Sequence, residues 1–551
     1  MTEGREKKSV RVRVTGEADV VRATAADWPW GTAVIVLFLG YVVTVLLSAW
    51  LADDAYITFR VVDNVIHGLG PVWNVGERVQ AYTNPLMMLS LSALSMVTRE
   101  VYFTSLVFSM FASASAVAIL AFRVARSRVS AALALLILVS SSSFVTYSTS
   151  GLENCLIFLL SALFFWEYFR SERHDARSLT ILTLLFSLSL VNRMDTALLL
   201  APALFFAYIR NEKVGLWRMA AAAVTGMMPF VAWEAFAVVY YGFAFPNTAY
   251  AKLSTGIASS EYLVRGAWYY VMSLLQDPVV LLAVGIGSVP IFLSRRAKTI
   301  VPFIGVVLYL AYIAKIGGDF MRGRFFAAPL FVVLLILVSI DPEQWSRMRI
   351  TTRTLVFATL TLVLIQNVGG MVFNAMDFNH VVPYGIYNDK AIYFPASNLP
   401  LNLVGRQLQK SPLVKKGEVL RASGESPVVW ATLGFTGYYA GPRIHIVDPL
   451  ALSDALLARL PAIYDPEWHI GHMVRFIPEG YLETIKSGKN VIRDPGVAEY
   501  YDHLAVVIKG PLWTRARWKT IYELNTGKFD HLIDRQYYRF GVTNPLDIDS
   551  L

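Results

Sequence analysis

The 551-residue chain has few charged side chains and almost no cysteine. Only 16% of its residues are Asp, Glu, Lys or Arg, whereas soluble domains carry about a quarter. A soluble globular protein is therefore excluded, and the 55% of hydrophobic residues indicates an integral membrane protein. The single cysteine, Cys155, lies in an apolar segment, so no intrachain disulfide can form.

Recognisable cofactor signatures are also missing from the sequence. It contains no Walker loop, no glycine pattern of a dinucleotide-binding strand and helix, and no zinc-ligand spacing. His469 and His472 are three residues apart and could hold a metal on a helix, but no third ligand accompanies them. We expect packing or hydrogen-bonding roles for both histidines, and no metal or other cofactor. A divalent cation beside the acidic residues described below stays an open alternative.

The net charge of +9 does not indicate nucleic-acid binding, because the basic residues are concentrated in short connections between apolar runs. Connections of this kind are typical of cytoplasmic loops. The alternate connections contain acids, glycines and aromatic residues, and we assign them to the outer side. The basic stretches are the N-terminal segment 1–27 and residues within 123–128, 170–177, 210–218, 295–298 and 347–353.

This alternation predicts about eleven transmembrane helices within residues 28–373, with the N-terminus in the cytoplasm and the C-terminus outside. Within the first outer loop, 52–100, the segments 55–67 and 85–97 are too short to span a bilayer. We predict that they form two helices on the outer membrane surface. The predicted spans are 29–51, 101–123, 130–148, 153–170, 178–192, 195–210, 218–241, 268–294, 299–315, 325–341 and 354–372.

The last part of the chain, residues 374–551, has a different composition. It contains prolines, charges and short strand-like runs such as VVWATLGF and RIHIVD, and it is long enough for one small domain. The predicted fold class is therefore an all-α polytopic membrane domain followed by an α/β or α+β domain in the periplasm.

Two adjacent acids, Asp53 and Asp54, follow the first predicted span. A carboxylate pair at a membrane boundary is costly unless it meets water, a cation or a substrate. A polar helix cap is the alternative, but a cap does not require a second carboxylate. Repulsion within the pair would raise one pKa and give a better base, which favours a functional role.

Further ionisable residues lie in the other predicted outer loops. Together they suit a reaction with an anionic leaving group, in which cations bind a phosphate and an acid accepts a proton. Each of these residues could instead have a role outside catalysis. The arginines could face lipid head groups, the lysine could be solvated, the glutamate could lie at a helix N-terminus, and an arginine and a neighbouring acid could form a local ion pair. The residues concerned are Glu153, Arg193, Asp195, Lys252, Asp319, Arg322 and Arg324.

The donor of such a reaction is expected to be a lipid-linked sugar. A nucleotide sugar would be cytoplasmic and would therefore lie on the wrong side of the membrane from these acids. The aromatic-rich turn GLGPVWNVGERVQAYTN, which contains Tyr82 and Asn84, could offer stacking surfaces to a sugar ring. Interfacial Trp and Tyr are also common without such a role.

Four blocks of sequence resemble the GT-C membrane glycosyltransferases that use polyprenyl-phosphate sugars. They are DDAYITFRVVDNVIHGLGPVWNVGERVQAYTNPL after the first span, followed by SGLEN, FPNTAYAK and GGDFMRGR. The chain is most similar to the branch of bacterial arabinofuranosyltransferases, which includes mycobacterial terminal β-arabinofuranosyltransferases and pilin arabinosyltransferases. This resemblance implies a GT-C fold, a bacterial plasma-membrane location and a role in cell-wall biogenesis or protein glycosylation.

The resemblance also implies roles for individual residues. The catalytic acid of the family corresponds to Asp53 or Asp54; we expect Asp53 to be the base and Asp54 to orient donor or acceptor. We expect the donor phosphate at Arg322, Arg324 and Lys252. The remaining residues expected to contact substrate are Glu153, Arg193, Asp195, Asp319, Tyr82 and Asn84.

The resulting hypothesis is a single inverting displacement on the outer face of the membrane. The donor would be a polyprenyl-phosphate sugar, most simply arabinofuranose, and the acceptor a cell-envelope glycan or protein. We expect the chain to contact membrane lipids and not to bind nucleic acid. One alternative is a transporter or flippase of lipid-linked saccharides, which would place charges near the bilayer midplane. Another is a polysaccharide polymerase or ligase.

Overall fold

The α-helix accounts for most of the chain in the computed structural model, which describes residues 17–211, 214–375, 385–405 and 407–542. The first 16 residues of the predicted cytoplasmic N-terminus lie outside the described residues. The helices are α1 (Glu17–Leu47), α2 (Asp53–Ile66), α3 (Pro85–Thr98), α4 (Tyr102–Ile119), α5 (Arg128–Ser140), α6 (Ser142–Thr146), α7 (Asn154–Arg170), α8 (Ala176–Asn192), α9 (Thr196–Ile209), α10 (Leu216–Tyr240), α11 (Asn247–Leu253), α12 (Ser259–Gln276), α13 (Pro278–Leu293), α14 (Ala297–Lys315), α15 (Ala327–Val338), α16 (Pro342–Arg347), α17 (Thr352–Ala375), α18 (Asp389–Ser397), α19 (Leu399–Gly405), α20 (Pro412–Ser423), α21 (Gly434–Ala440), α22 (Tyr481–Ser487), α23 (Pro495–Ile508) and α24 (Arg515–Asn525).

Helices lie at the positions of all the predicted spans. Several are long and apolar enough to cross a bilayer, so the chain is a membrane protein. The count of eleven spans and the orientation of the termini stay predictions. The helical segments that meet the length and composition of a span are Pro29–Leu47, Tyr102–Val124, Leu216–Tyr240, Ala297–Lys315 and Thr352–Gly370.

The predicted span 268–294 is not one continuous helix. It is divided between α12 and α13, whose axes differ in direction by 99°. The break falls at Asp277, directly before Pro278. Proline disfavours helical geometry in the residue before it and has no N–H to continue the ladder, which explains the break.

The two helices predicted in the first outer loop are present as α2 and α3. Helix α3 begins at Pro85, where the missing N–H costs no intrahelical hydrogen bond. Helix α2 begins directly at the acid pair, with Asp53 and Asp54 in its first turn. Acids are favourable there because the helix dipole is positive at its N-terminus. Their position on a membrane surface stays a prediction.

The predicted α/β or α+β character of the C-terminal part is not confirmed. Within the described residues after 384, the sheet is a parallel pair of two-residue strands, β1 (Val428–Val429) and β2 (Ile446–Val447). Each of the two strand-like runs contributes one of these strands, but the end of the first run lies in α21. Helix α21 begins at Gly434, where any side chain would overlap the backbone of Asp53.

The C-terminal part shares a hydrophobic core with the first outer loop. Tyr56, Phe59 and Trp73 are buried in one cluster with Phe435 and Ile446. The two parts are also joined through a buried arginine of α2, described next.

Arg60 is only 2% exposed and donates hydrogen bonds to three carbonyls. They belong to Trp73 at 2.9 Å, Gly437 at 2.6 Å and Ile444 at 2.8 Å. Its guanidinium also lies 4.1 Å from the centre of the Trp73 ring. The planar fork of arginine can serve several acceptors at once, which fixes the C-terminal part over α2.

The Arg60→Lys substitution should lower the free energy of unfolding by about 2 kcal/mol or more, because a lysine leaves at least one buried carbonyl without a donor. The apparent melting temperature of the full chain in detergent measures this. Arg443→Lys, at an exposed arginine between α21 and β2, is the matched control. Equal melting temperatures for the two variants would show that Arg60 does not hold the two parts together.

Candidate active site

A cavity of about 380 Å³ lies between the first outer loop, the ends of several long helices and the C-terminal part. It brings together ten of the eleven residues predicted from the sequence to form the site. They come from segments more than 250 residues apart. The ten residues are Asp53, Asp54, Tyr82, Asn84, Glu153, Arg193, Asp195, Lys252, Asp319 and Arg324.

Glu153 is the centre of the charge network in this cavity and is fully buried. Its Oε1 atom lies 2.6 Å from Nη1 of Arg193 and 2.8 Å from Nη2 of Arg324. Its Oε2 atom accepts a hydrogen bond of 3.2 Å from the Asn84 amide. A buried carboxylate needs such partners to offset its lost hydration. Glu153 precedes the first residue of α7, so the helix N-terminus also favours its charge.

The two arginines of the network are held by further carboxylates. Arg193 makes hydrogen bonds of 2.8–2.9 Å to both oxygens of Asp195, which agrees with the local ion pair considered above. Nη1 of Arg324 lies 3.5 Å from Asp319. The side chain of Phe325 lies under the Arg193 guanidinium, with 4.4 Å between the guanidinium carbon and the ring centre. These contacts fix both guanidiniums in one orientation.

Asp53 is 5% exposed, and both of its carboxylate oxygens accept backbone hydrogen bonds. The donors are the N–H groups of Gly434, at 3.0 Å, and Phe435, at 2.7 Å, at the start of α21. Burial raises the pKa of Asp53 to about 7, and the Asp54 charge adds to the rise, although the two amides oppose it. The two amides thus hold the carboxyl group in place.

Asp54 and Lys252 differ from the other charged cavity residues that the sequence predicted. Neither the carboxylate of Asp54 nor the ammonium of Lys252 hydrogen-bonds or pairs with another residue in the described parts of the chain. Burial raises the pKa of Asp54, while the charges of Arg324 and Lys252 oppose the rise. Both side chains line the cavity, so they are available to a bound molecule.

Tyr82 and Asn84 line the cavity but already have protein partners. Asn84 accepts a hydrogen bond of 3.2 Å from Thr58 in addition to its bond to Glu153. The Tyr82 hydroxyl lies 2.7 Å from that of Tyr241. Asn84 therefore orients the charge network, and direct contact of either residue with a substrate stays a prediction.

Arg322 is the one predicted site residue that lies elsewhere. It lines a second cavity of about 280 Å³ and is not among the residues of the first. The structure therefore does not bring Arg322 together with Arg324 and Lys252, and a phosphate site at the latter two residues stays a prediction. The reason is local, because Gly323 adopts a left-handed conformation with φ of 72° between the two arginines. The turn sends their side chains to different cavities.

Asp389 lines the first cavity and was not predicted from the sequence. It is 4% exposed, in the first turn of α18. Burial raises its pKa well above the usual value, and the charges of Asp54 and Asp319 raise it further. The segment YNDKAIYF gave no signal, because its place in the cavity depends on how the C-terminal part folds back.

The two histidines lie in a loop, not on a helix. His469 and His472 form an isolated antiparallel bridge, and His472 lines the cavity beside the Phe320 ring. Among the described residues, no group of three or more His, Cys, Asp or Glu side chains is arranged to hold a metal ion. The expectation of no metal stays a prediction.

Comparison with known proteins finds two relatives, each named terminal beta-(1->2)-arabinofuranosyltransferase. The relative from Mycobacterium tuberculosis is 26% identical over 542 residues, which cover 82% of this chain and 84% of the relative. The relative from Corynebacterium glutamicum is 26% identical over 604 residues, which cover 90% of this chain and 85% of the relative. These similarities confirm the resemblance to arabinofuranosyltransferases that the four sequence blocks indicate.

No family model matches the chain. Among solved structures, it is similar to ArnT from Cupriavidus metallidurans, bound to undecaprenyl phosphate and in the apo state. The sequences are 12% identical in both cases, with TM-scores of 0.43 and 0.44. The matches cover 75% and 78% of this chain and 85% and 87% of the ArnT chains.

The Glu153→Gln substitution should destabilise the protein by about 3–5 kcal/mol, because it removes the carboxylate shared by the buried guanidinium of Arg324 and the half-buried guanidinium of Arg193. The apparent melting temperature in detergent measures the loss. Glu479→Gln is the matched control, since Glu479 pairs with Arg493 in an exposed position and such pairs contribute about 0–1 kcal/mol. Equal melting temperatures for both variants and the unmodified protein would show that Glu153 is not the centre of the charge network.

Proposed function

We propose that this chain is an inverting glycosyltransferase of the bacterial plasma membrane. It transfers a sugar, arabinofuranose in the first instance, from a polyprenyl-phosphate donor to a cell-envelope glycan or protein on the outer face. The observation that carries the proposal is a single cavity in which the buried carboxylate of Asp53 lies together with cations. The two arabinofuranosyltransferase relatives support the glycosyltransferase activity and the choice of sugar.

Asp53 is the proposed general base. A base is most effective when its pKa lies near the working pH, and burial brings Asp53 to that range. The amides of Gly434 and Phe435 fix its orientation, and each oxygen retains a second lone pair for the proton of an acceptor hydroxyl. Deprotonation by Asp53 lets the hydroxyl oxygen attack the anomeric carbon as the bond to phosphate breaks.

Lys252 and Arg324 are the proposed partners of the leaving phosphate. The ammonium of Lys252 has no partner in the described parts of the chain, where only its backbone carbonyl accepts a hydrogen bond, and Arg324 has a buried Nε that donates to none of the described residues. Preorganised cations stabilise charge that develops on a leaving group. Asp54 interacts electrostatically with both cations, so we assign it to positioning them and the donor.

The surroundings of Lys252 suit a donor with a long apolar chain. Leu253, the next residue, is 82% exposed, and Phe245 lines the cavity while 54% exposed. Exposed apolar side chains at the mouth of a charged cavity are costly in water but not against lipid. A polyprenyl phosphate would place its phosphate at Lys252 and its chain along these residues.

Incubating the purified chain with a panel of polyprenyl-phosphate sugars and a glycan acceptor should yield one transferred product, detected by mass spectrometry. The Asp53→Asn variant should lose activity by about 10²–10⁴-fold while it still binds the donor, because only the proton acceptor is removed.

Asp448→Asn is the control for this substitution. Asp448 is also fully buried and also accepts backbone N–H groups, but it does not line the cavity. Transfer by Asp53→Asn at the rate of the Asp448→Asn variant would contradict the assignment of the base. Absence of transfer from every donor would contradict the proposed function.

The pH dependence of kcat/KM should report the base. Asp53 acts only when deprotonated, so activity should rise with pH through about 7 and then level off. The Asp54 charge raises the pKa of Asp53, so in Asp54→Asn the rise should move to lower pH. A profile that is flat between about pH 5 and 9 would contradict this account.

A further inference from the structure

We infer that the second cavity, which Arg322 lines, is a separate binding site for a phosphate group. The cavity of about 280 Å³ lies between α6, the end of α12 and the start of α18. Its lining includes two cations, Arg322 and Lys390, and no carboxylate from the described residues. The polar residues around them are Ser142, Ser143, Thr146, Tyr147, Gln276 and Asn388.

A short backbone pairing separates this cavity from the candidate active site. Met321 and Tyr387 form a parallel bridge, in which the Tyr387 N–H donates to Phe320 at 2.7 Å and the Arg322 N–H donates to Tyr387 at 3.1 Å. Residues close together in the sequence lie on opposite sides of this wall. Arg322, Asn388 and Lys390 line the second cavity, whereas Asp319, Arg324 and Asp389 line the first.

The two cations are placed for an anion. Arg322 is 4% exposed, so its charge is largely removed from water. The ammonium of Lys390 lies 5.2 Å from the centre of the Phe394 ring and forms no ion pair within the described residues. Burial lowers the pKa of Lys390 to about 8, and a bound anion would favour its charged form. A guanidinium, an ammonium and nearby hydroxyls are groups that bind phosphate.

The rim of the cavity suits a phosphate that carries an apolar group. Ala391, Phe394 and Pro395 complete the lining, and Ile392 on the same helix is 51% exposed. A prenyl phosphate or a phospholipid headgroup therefore shares the required chemistry with free phosphate. Because Asp389 and Lys390 are consecutive, the occupant would lie one residue from the candidate active site.

The test is lipid binding to the full chain in detergent, measured by native mass spectrometry with three probes: farnesyl phosphate, dioleoylphosphatidylglycerol and inorganic phosphate as competitor. The proteins are the unmodified chain, Arg322→Gln/Lys390→Gln and Lys252→Gln. The double variant should lose at least about tenfold in affinity for one bound phosphate, a weakening that removal of two charge-assisted contacts explains. Lys252→Gln should keep that site.

The three probes identify the source. Loss confined to farnesyl phosphate indicates a prenyl phosphate, loss confined to the phospholipid indicates a membrane headgroup, and displacement by inorganic phosphate indicates a site for free phosphate; each supports the site. Equal binding of every probe to the unmodified chain and the double variant overturns it. If the double variant does not fold, Lys390→Gln with Lys390→Arg as its rescue provides the same comparison. Binding is measured without turnover, so the result is independent of glycosyl transfer.

Discussion

The buried carboxylate of Glu153 is the constraint on which the rest of the site depends. It is shared by Arg193 and Arg324, which come from segments about 40 and 170 positions later in the chain. Removing a charge from water costs several kcal/mol unless partners replace the hydration. The segments SGLEN, VNRMD (residues 191–195) and GGDFMRGR must therefore meet, and their contacts orient the two arginines of the cavity before any substrate binds. Such preorganisation is what electrostatic stabilisation of a leaving group requires.

The C-terminal part completes the site from the other side. Its helix α21 fixes Asp53 through two amides, and its helix α18 supplies Asp389. The same part is held on α2 by its two carbonyls, of Gly437 and Ile444, that accept hydrogen bonds from Arg60. Catalytic geometry and folding of the C-terminal part are thus linked, because displacement of α21 would release the carboxylate of the proposed base.

The features of the fold that depend on local sequence could be predicted from the sequence. Apolar runs located the helices, and the short segments after the acid pair were correctly predicted to be α2 and α3. The polar blocks of the outer loops supplied ten of the cavity residues. Long-range geometry could not be predicted. Whether Arg322 or Arg324 enters the cavity depends on one left-handed glycine between them, and Asp389 enters it only through tertiary packing of the C-terminal part.

A cryo-electron microscopy structure of the chain with bound polyprenyl phosphate would show directly where the phosphate lies. We expect phosphate density in the larger cavity, within hydrogen-bonding distance of Lys252 and Arg324 and with Asp53 across the cavity from it. Phosphate density found only outside that cavity, with Lys252 and Arg324 in contact with protein carboxylates alone, would contradict this expectation.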